Sequence, residues 1–144
     1  MVKLDGKVYY EWSDYSSDIQ NIIRKIRKIE NPYIVGIHRG SLGMASHISN
    51  VLDIKMGIIN YQTRDGQSKE PQWLLKEFNE KHTVVVIDDI YDTGKTLHEI
   101  DKITPDNTEY FCIFDNIKAT KEGDLKVNVS RISNGEWIVF PIEV

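Results

Sequence analysis

The sequence of 144 residues contains a single cysteine. With no partner in the chain, Cys112 cannot belong to a framework of disulfide bonds or to a metal site built from several cysteines. Its neighbours in Phe111-Cys112-Ile113-Phe114 predict instead a small apolar residue in a buried strand. A lone cysteine is also typical of a reducing compartment, so we expect a cytoplasmic protein.

An excess of basic residues and long apolar runs are also missing. Lys and Arg total 18 against 22 Asp and Glu, which gives a net charge of −4 and disfavours bulk attraction to nucleic acid. The longest apolar runs, such as Val84-Val85-Val86-Ile87, are much too short to span a bilayer. Charges among the first seven residues argue against an export signal. We therefore expect neither a nucleic-acid nor a membrane partner.

Segments that favour strands alternate along the chain with segments of helical periodicity. The predicted strands are 33–37, 54–61, 83–87 and 110–114, and the predicted helices are 15–29, a segment ending near 52, 73–78 and 96–103. This alternation predicts an α/β fold, a mostly parallel twisted sheet flanked by helices, with ligands beyond the carboxyl ends of the strands. The length suits one domain, 1–144.

Two segments depart from the alternation. The C-terminal segment predicts a hairpin appended to the sheet. Its strands would be 127–132 and 137–140, and its turn the pair Asn134-Gly135. Residues 62–71 are polar and show no periodicity, which predicts a mobile loop.

The most informative segment runs from 84 to 97, where a buried strand leads into Asp88-Asp89 and then into the turn Asp92-Thr93-Gly94-Lys95-Thr96. Backbone amides of such a turn and the positive end of the helix dipole form a phosphate cradle, to which threonine hydroxyls add donors. Carboxylates would repel a phosphate, so Asp88 and Asp89 are expected to accept hydrogen bonds from sugar hydroxyls or to hold Mg²⁺ through water. The implied ligand is a phosphate beside a ribose.

Other motifs fail on the same residues. Gly94-Lys95-Thr96 resembles the end of a P-loop, but Asp89 stands where that motif requires its first glycine. Gly36, Gly40 and Gly43 do not fit the dinucleotide fingerprint. No set of Ser, His and Asp stands out for nucleophilic catalysis.

The segment 84–96 resembles the phosphoribosyl-diphosphate binding motif of the type I phosphoribosyltransferases. That motif consists of a hydrophobic strand, two acids, two intervening residues and then Asp-Thr-Gly-x-Thr. Two further features extend the resemblance to the purine branch. One is the pair Arg39-Gly40 after the first strand, and the other is the pair Trp137-Ile138, followed by Pro141 three residues after the isoleucine. The likeness covers most of the chain. It implies the type I phosphoribosyltransferase fold, a small C-terminal hood hairpin formed by about 125–144, and a homo-oligomer, dimer or tetramer.

In that family a base attacks C1 of the ribose as pyrophosphate leaves. The resemblance implies that phosphoribosyl diphosphate is bound by Arg39, Gly40, Ser41, Asp88, Asp89, Asp92, Thr93, Gly94, Lys95 and Thr96, with Mg²⁺ on Asp88 and Asp89. Family members often have a cis peptide at the entry to the first loop, which we expect between His38 and Arg39. Ser41 and His38 depart from the glycine and the small residue usual there. Residues 62–69 would be a lid, with Arg64 and Lys69 near pyrophosphate.

The resemblance also assigns the base side of the site. Asp92 would be the catalytic acid/base near N7 of the purine, the base would stack on Trp137, and the Ile138 backbone would bond to its edge. Lys118 would meet the 6-oxo group. The family lysine usually stands closer behind the strand, so Asn116 remains an alternative at that position.

The expected function is Mg²⁺-dependent transfer of the phosphoribosyl group from phosphoribosyl diphosphate to a 6-oxopurine (guanine, xanthine or hypoxanthine), a purine salvage reaction. One alternative is a regulator that keeps the fold and binds nucleotide together with RNA or a protein. Another is a transferase for a different base, such as orotate.

Overall fold

The computed structural model describes residues 1–38, 40–61, 63–64, 67–68, 72–74 and 77–143, with the backbone alone at 63, 64, 67, 68 and 74. The helices are α1 (Trp12–Ile26), α2 (Leu42–Leu52) and α3 (Lys95–Asp101), and a 3-10 turn spans Pro141–Glu143. The strands are β1 (Val2–Leu4), β2 (Lys7–Tyr9), β3 (Pro32–His38), β4 (Met56–Asn60), β5 (Thr63–Arg64), β6 (Gln67–Ser68), β7 (Gln72–Leu74), β8 (Thr83–Tyr91), β9 (Glu109–Asn116), β10 (Asn128–Ser133) and β11 (Trp137–Val139).

The main sheet has six strands in the order β10-β9-β8-β3-β4-β7. Neighbouring strands are parallel from β10 to β4, and β7 alone pairs antiparallel, at the edge beside β4. The strands β3 and β8, each with a run of at least four consecutive buried residues, lie in the middle of the sheet, as expected for strands covered on both faces. The predicted α/β fold with a mostly parallel sheet is confirmed.

Alternate residues of the central strands supply two separate cores. On β8, Val85 and Ile87 belong to one cluster of buried side chains, and Val84 and Val86 belong to the other. Successive side chains of a strand point to opposite faces of the sheet, so each strand contributes to both cores. Cys112 is 1% exposed and lies in the second cluster, which confirms its prediction as a core residue.

The helices cover both faces of the sheet. Isoleucines of α1 and the buried apolar side chains of α2 join the first cluster, whereas Leu97 and Ile100 of α3 join the second. Gly36 lets α2 approach β3, because a Cβ at that position would lie 2.8 Å from the Cβ of Ala45. Within the described part of the chain, none of the helices combines the length and apolar character that a bilayer crossing requires.

The predicted C-terminal hairpin is wrong in its pairing. Gly135 does form a turn, with φ at +84°, but the strands on either side of it pair with different partners. The first, β10, continues the main sheet in parallel with β9, and the second, β11, lies parallel to β2 in a small sheet of order β1-β2-β11. Burial of Val8 beside Ile138 in the first core accounts for this choice of partner.

The predicted helix at 73–78 is also wrong where the structure describes it, since 72–74 form β7. Trp73 pairs with Ile59 in the register and packs on the second core, so an edge strand buries the aromatic ring. Of the predicted loop 62–71, the structure describes β5 and β6, which pair antiparallel. The rest of that loop, Lys69 included, lies outside the described residues, so the predicted mobility and lid remain predictions.

Candidate active site

The two acids predicted to face the ribose lie inside β8, not after it, because the strand extends to Tyr91. Both carboxylates are half-buried near the carboxyl end of the central strand. Asp88 Oδ1 accepts a hydrogen bond of 2.9 Å from the Asp89 amide, and Asp89 Oδ1 accepts one of 2.7 Å from the Ile90 amide. These short bonds to the backbone restrain both carboxylates near the end of the sheet where ligands of α/β folds bind.

The two carboxylates repel each other. Burial raises the pKa of Asp88 well above its usual range, and the negative charge of Asp89 raises this pKa further. The hydrogen bond from the Asp89 amide acts in the opposite direction but is the smaller effect. A cation beside the pair would remove the repulsion and favour the ionised form.

The turn after β8 bounds an open cleft of about 190 Å³. The cleft is lined by Asp88, Ile90, Tyr91, Asp92, Thr93, Gly94, Lys95, Thr96 and Leu97. Gly94 caps α3 with φ at +80°, and a Cβ there would lie only 2.9 Å from Cε2 of Tyr91. Glycine is therefore required at this position both by backbone conformation and by space. Thr93 Oγ1 accepts a bond of 3.4 Å from the Lys95 amide. The structure thus brings the predicted residues of this turn together around one cleft.

The loop after β3 approaches the same acids. A Cβ on Gly40 would lie 3.3 Å from Asp89 Oδ2, so the loop passes directly beside that carboxylate. Ser41 is fully buried, and its amide donates to Ile37 O while its hydroxyl is bonded to the Ile37 backbone. Binding of pyrophosphate by Ser41 would have to exchange these bonds. Arg39, and with it the peptide from His38, lies outside the described residues, so both predictions about it stay predictions.

On the base side, the end of β9 lies next to the turn. Asn116 Nδ2 donates a hydrogen bond of 2.8 Å to Asp92 Oδ1. Lys118 is exposed, and its amide donates to Asn116 Oδ1 at 3.1 Å. Lys118 and Asn116 are the two alternatives for the contact with the 6-oxo group. Of these, Asn116 is the residue whose side chain is hydrogen-bonded to Asp92. In β11, Trp137 is 70% exposed and Ile138 is buried.

A family model of the phosphoribosyl transferase domain matches residues 10–144 of this sequence. The chain belongs to this family. The match includes both loops, the acids of β8 and the strand that carries Trp137.

Individual phosphoribosyltransferases are similar to the chain as well. The xanthine-guanine phosphoribosyltransferase of Cereibacter sphaeroides is 28% identical over 116 residues, which cover 75% of this chain and 66% of that protein, slightly less than two thirds of its length. The crystal structure of a purine phosphoribosyltransferase from Pyrococcus horikoshii has a TM-score of 0.76 at 29% identity, covering 96% of this chain and 95% of the other. A xanthine-guanine-hypoxanthine phosphoribosyltransferase of Helicobacter pylori, at 17% identity, shares the fold with a TM-score of 0.73 over 96% and 94% of the two chains. Family and relatives support a phosphoribosyltransferase enzyme.

Two features of this candidate site carried no signal in the sequence. The bond from Asn116 to Asp92 joins residues 24 positions apart, one at the end of β9 and the other directly after β8. Lys121, in a polar stretch without periodicity, places its ammonium against the backbone of the turn. Only the parallel pairing of β8 with β9, which sets Tyr91 opposite Asp115, brings these residues together.

Proposed function

We propose that this chain is a purine phosphoribosyltransferase that transfers the 5-phosphoribosyl group from phosphoribosyl diphosphate to a 6-oxopurine, a purine salvage reaction. One observation carries the proposal: a cleft at the end of the central strand is lined by a carboxylate, Asp88, and by a glycine-containing turn. This combination suits a ligand with sugar hydroxyls next to a phosphate. We assign the activity to residues 1–144 as one domain, with a hood formed by about 125–144.

In this proposal the phosphoribosyl diphosphate lies along the turn. Its 5-phosphate is bound by the backbone amides of Asp92, Thr93, Gly94, Lys95 and Thr96 and by the hydroxyls of the two threonines. Asp88 and Asp89 face the ribose hydroxyls, and the loop of Arg39, Gly40 and Ser41 binds the pyrophosphate. The close approach of Gly40 to Asp89 supports this arrangement, because it sets the pyrophosphate loop beside the ribose end of the ligand.

Asp88 and Asp89 would also hold Mg²⁺ through water. Carboxylate oxygens are the donors this ion prefers, and the repulsion between the pair favours a cation. Among the described residues, no group of three or more His, Cys, Asp or Glu side chains could hold a metal ion, so most ligands would come from substrate and water. When bound, the ion supplies positive charge for the departing pyrophosphate.

The reaction breaks the bond from C1 of the ribose to pyrophosphate, whose oxygen keeps the electron pair, and forms a bond from C1 to N9 of the purine. The base must lose one proton. Asp92, exposed and held by Asn116, accepts it near N7. Trp137 stacks on the purine, and the backbone of Ile138 bonds to its edge.

Selection of a 6-oxopurine is assigned to Lys118, whose positive charge would stabilise the oxo group and reject the amino group of adenine. The backbone amide of Lys118 donates to the side chain of Asn116, which in turn donates to Asp92, and this nearness to Asp92 supports the role. Asn116 itself is the alternative partner of the 6-oxo group.

The test is an assay of the purified chain with phosphoribosyl diphosphate, Mg²⁺ and, separately, guanine, xanthine, hypoxanthine, adenine and orotate, with chromatography of the nucleotide product. We expect turnover of at least one 6-oxopurine and none after chelation of Mg²⁺. Turnover of adenine alone would contradict the role of Lys118, and turnover of orotate alone would contradict the purine assignment. Nucleotide binding without any turnover would favour a regulator.

Asp92→Asn tests the acid/base role in the same assay. We expect kcat to fall by about 10²-fold or more, the range typical of a lost general acid or base, with KM for phosphoribosyl diphosphate changed much less. Asp106→Asn, at an exposed position outside the site, is the matched control. An Asp92→Asn variant that keeps the wild-type kcat would exclude this carboxylate as the proton acceptor.

A further inference from the structure

The ammonium group of Lys121 is bonded to three backbone carbonyl groups from two strand ends. Its Nζ donates to Tyr91 O at 3.2 Å and to Asp92 O at 2.5 Å, both in the turn after β8. It also donates to Asn116 O at 2.6 Å, at the end of β9. A lysine ammonium has three N–H donors, so these bonds use its full donor capacity.

Two further contacts stabilise the charge at this place. Asp115 Oδ1 lies 2.8 Å from Nζ and makes an ion pair without the angles of a hydrogen bond. The ring of Tyr91 lies beneath the ammonium, 4.7 Å from Nζ to the ring centroid. Only 22% of the Lys121 side chain is exposed. Since all three N–H donors of Lys121 bond to backbone carbonyls, its ammonium has no donor left for a substrate.

The neighbouring residue continues the same pattern. The amide of Glu122 donates a hydrogen bond of 2.7 Å to Thr93 O. Residues 121 and 122 therefore bind the carbonyls of Tyr91, Asp92 and Thr93, three peptide units in a row. In a planar trans peptide the N–H points opposite to the C=O. The N–H groups of Asp92, Thr93 and Gly94 are thereby turned away from the 121–122 segment.

Those N–H groups belong to residues that line the cleft. Successive N–H groups turned to one side form an anion-binding concavity, and a cation on the carbonyl oxygens of the same peptides makes their N–H groups stronger donors. The bond to Asn116 O adds a link between the phosphate turn and the residue that holds Asp92.

We propose that Lys121 is a positioning residue: by bonding the carbonyls of the turn after β8 and the end of β9, it orients the turn amides towards the phosphoribosyl ligand. The inference rests on the proposed function, because that function supplies the ligand. Lys121 itself touches no reacting atom.

Lys121→Met tests the proposal, because methionine keeps an unbranched side chain and removes the charge and all three donors. We expect kcat/KM for phosphoribosyl diphosphate to fall at least tenfold, whereas KM for the purine changes less than threefold. Lys126→Met, at an exposed position, is the matched control and should stay within twofold of the wild type.

Lys121→Cys provides a rescue experiment. Alkylation of this thiol with 2-bromoethylamine rebuilds a side chain of lysine length with a terminal ammonium, while Cys112, 1% exposed, is protected by burial. We expect the unmodified variant to match Lys121→Met and the alkylated variant to regain at least half of the lost kcat/KM. If Lys121 had only a structural role, its replacement would lower the urea midpoint of unfolding, but kcat/KM for phosphoribosyl diphosphate would show no selective loss and no recovery on alkylation. Lys121→Gln replaces the methionine variant if the latter does not fold.

The outcomes separate this inference from the proposed function. A folded Lys121→Met or Lys121→Gln variant with wild-type kcat/KM, in an active enzyme, would overturn the inference and leave the function standing. If the wild type turns over no base, the proposed function fails, and the amide chemical shifts of Asp92, Thr93 and Gly94 decide the inference. Shifts moved no further by Lys121→Met than by Lys126→Met would overturn it, and a selective displacement would support it.

Discussion

Asn116 donates a hydrogen bond of 2.8 Å from its side-chain amide to Asp92 Oδ1. The orientation of the amide is fixed by a second bond, since Asn116 Oδ1 accepts from the Lys118 amide at 3.1 Å. The pair joins the ends of β8 and β9 through side chains, next to the last register pair, Tyr91 with Asp115. Asp92 is exposed, so this bond is what restrains its rotamer against free rotation in solvent.

Replacement of Asn116 tests that restraint. We expect Asn116→Ala to lower kcat about tenfold, the equivalent of about 1.4 kcal/mol, because the carboxylate no longer keeps one direction. KM for phosphoribosyl diphosphate should change little. Asn116→Asp, which replaces the donor by a second negative charge, should lower kcat further. Steady-state kinetics check both, with Asn107→Ala, at an exposed position, as control. A wild-type kcat in Asn116→Ala would show that Asp92 needs no partner.

Gly94→Ala introduces a Cβ where the backbone has φ at +80° and the Tyr91 ring would lie 2.9 Å away. We expect the free energy of unfolding to fall by about 1–3 kcal/mol and KM for phosphoribosyl diphosphate to rise, because the turn must shift to admit the methyl group. Urea unfolding and steady-state kinetics measure the two effects. Gly43→Ala is the control, since a Cβ there meets nothing within 4 Å. Equal stabilities and KM values for the two variants would contradict the strain argument.

Trp137→Ala separates a binding role from a packing role. The side chain is 70% exposed, so its removal should change the free energy of unfolding by less than about 0.5 kcal/mol. A base stacked on the indole would lose about 1–3 kcal/mol, which predicts a rise of about fivefold or more in KM for the purine. Trp12→Ala, at a tryptophan 63% exposed on α1, should leave this KM unchanged. Identical KM values in the two variants would exclude stacking on Trp137.

Tyr10 links the small sheet to the main core. Its amide donates to Val139 O at 2.9 Å, and its hydroxyl donates to Asp18 Oδ2 at 2.6 Å, an oxygen that also accepts from Arg131 Nε at 2.6 Å. Burial, followed by the bond to Asp18, raises the pKa of Tyr10 well above its usual value of 10.0. The folded state therefore keeps the phenol proton at a pH where the unfolded chain releases it.

The sign of the pH dependence follows from this raised pKa. The stability that Tyr10 contributes is complete below about pH 10 and is lost as the pH rises beyond that value. We expect Tyr10→Phe to be less stable than the wild type by about 1–2 kcal/mol at pH 8, and the difference to shrink by pH 11. Urea unfolding at the two values measures it, with Tyr9→Phe as control for loss of a hydroxyl. A difference that grows with pH would contradict the bond to Asp18.

The central strands and the turn after β8 were predictable because their signals are local. The continuous apolar run from Val84 to Ile87, whose side chains alternate between the two cores, and the glycine at 94 act within a few residues. The helix at 15–29 begins and ends three residues earlier than predicted, at Trp12–Ile26, since periodicity marks the apolar face better than the ends.

The errors arise where partners distant in sequence decide the structure. Asn134-Gly135 makes its turn, yet the strand after it pairs with β2, more than 100 residues earlier, because Val8 offers Ile138 a buried partner. Trp73 and its neighbours form an edge strand because the register with Ile59 buries the ring. Lys121 has its role through carbonyls that β8 and β9 bring together, and no spacing in the sequence encodes that contact.

The most direct test of the account is a crystal structure of the protein with guanosine 5'-monophosphate. The account predicts the phosphate on the amides and hydroxyls of the turn Asp92 to Thr96, the ribose hydroxyls beside Asp88 and Asp89, and the purine on the indole of Trp137. A nucleotide bound at another place, or a phosphate on the opposite side of the sheet from this turn, would contradict the central claim.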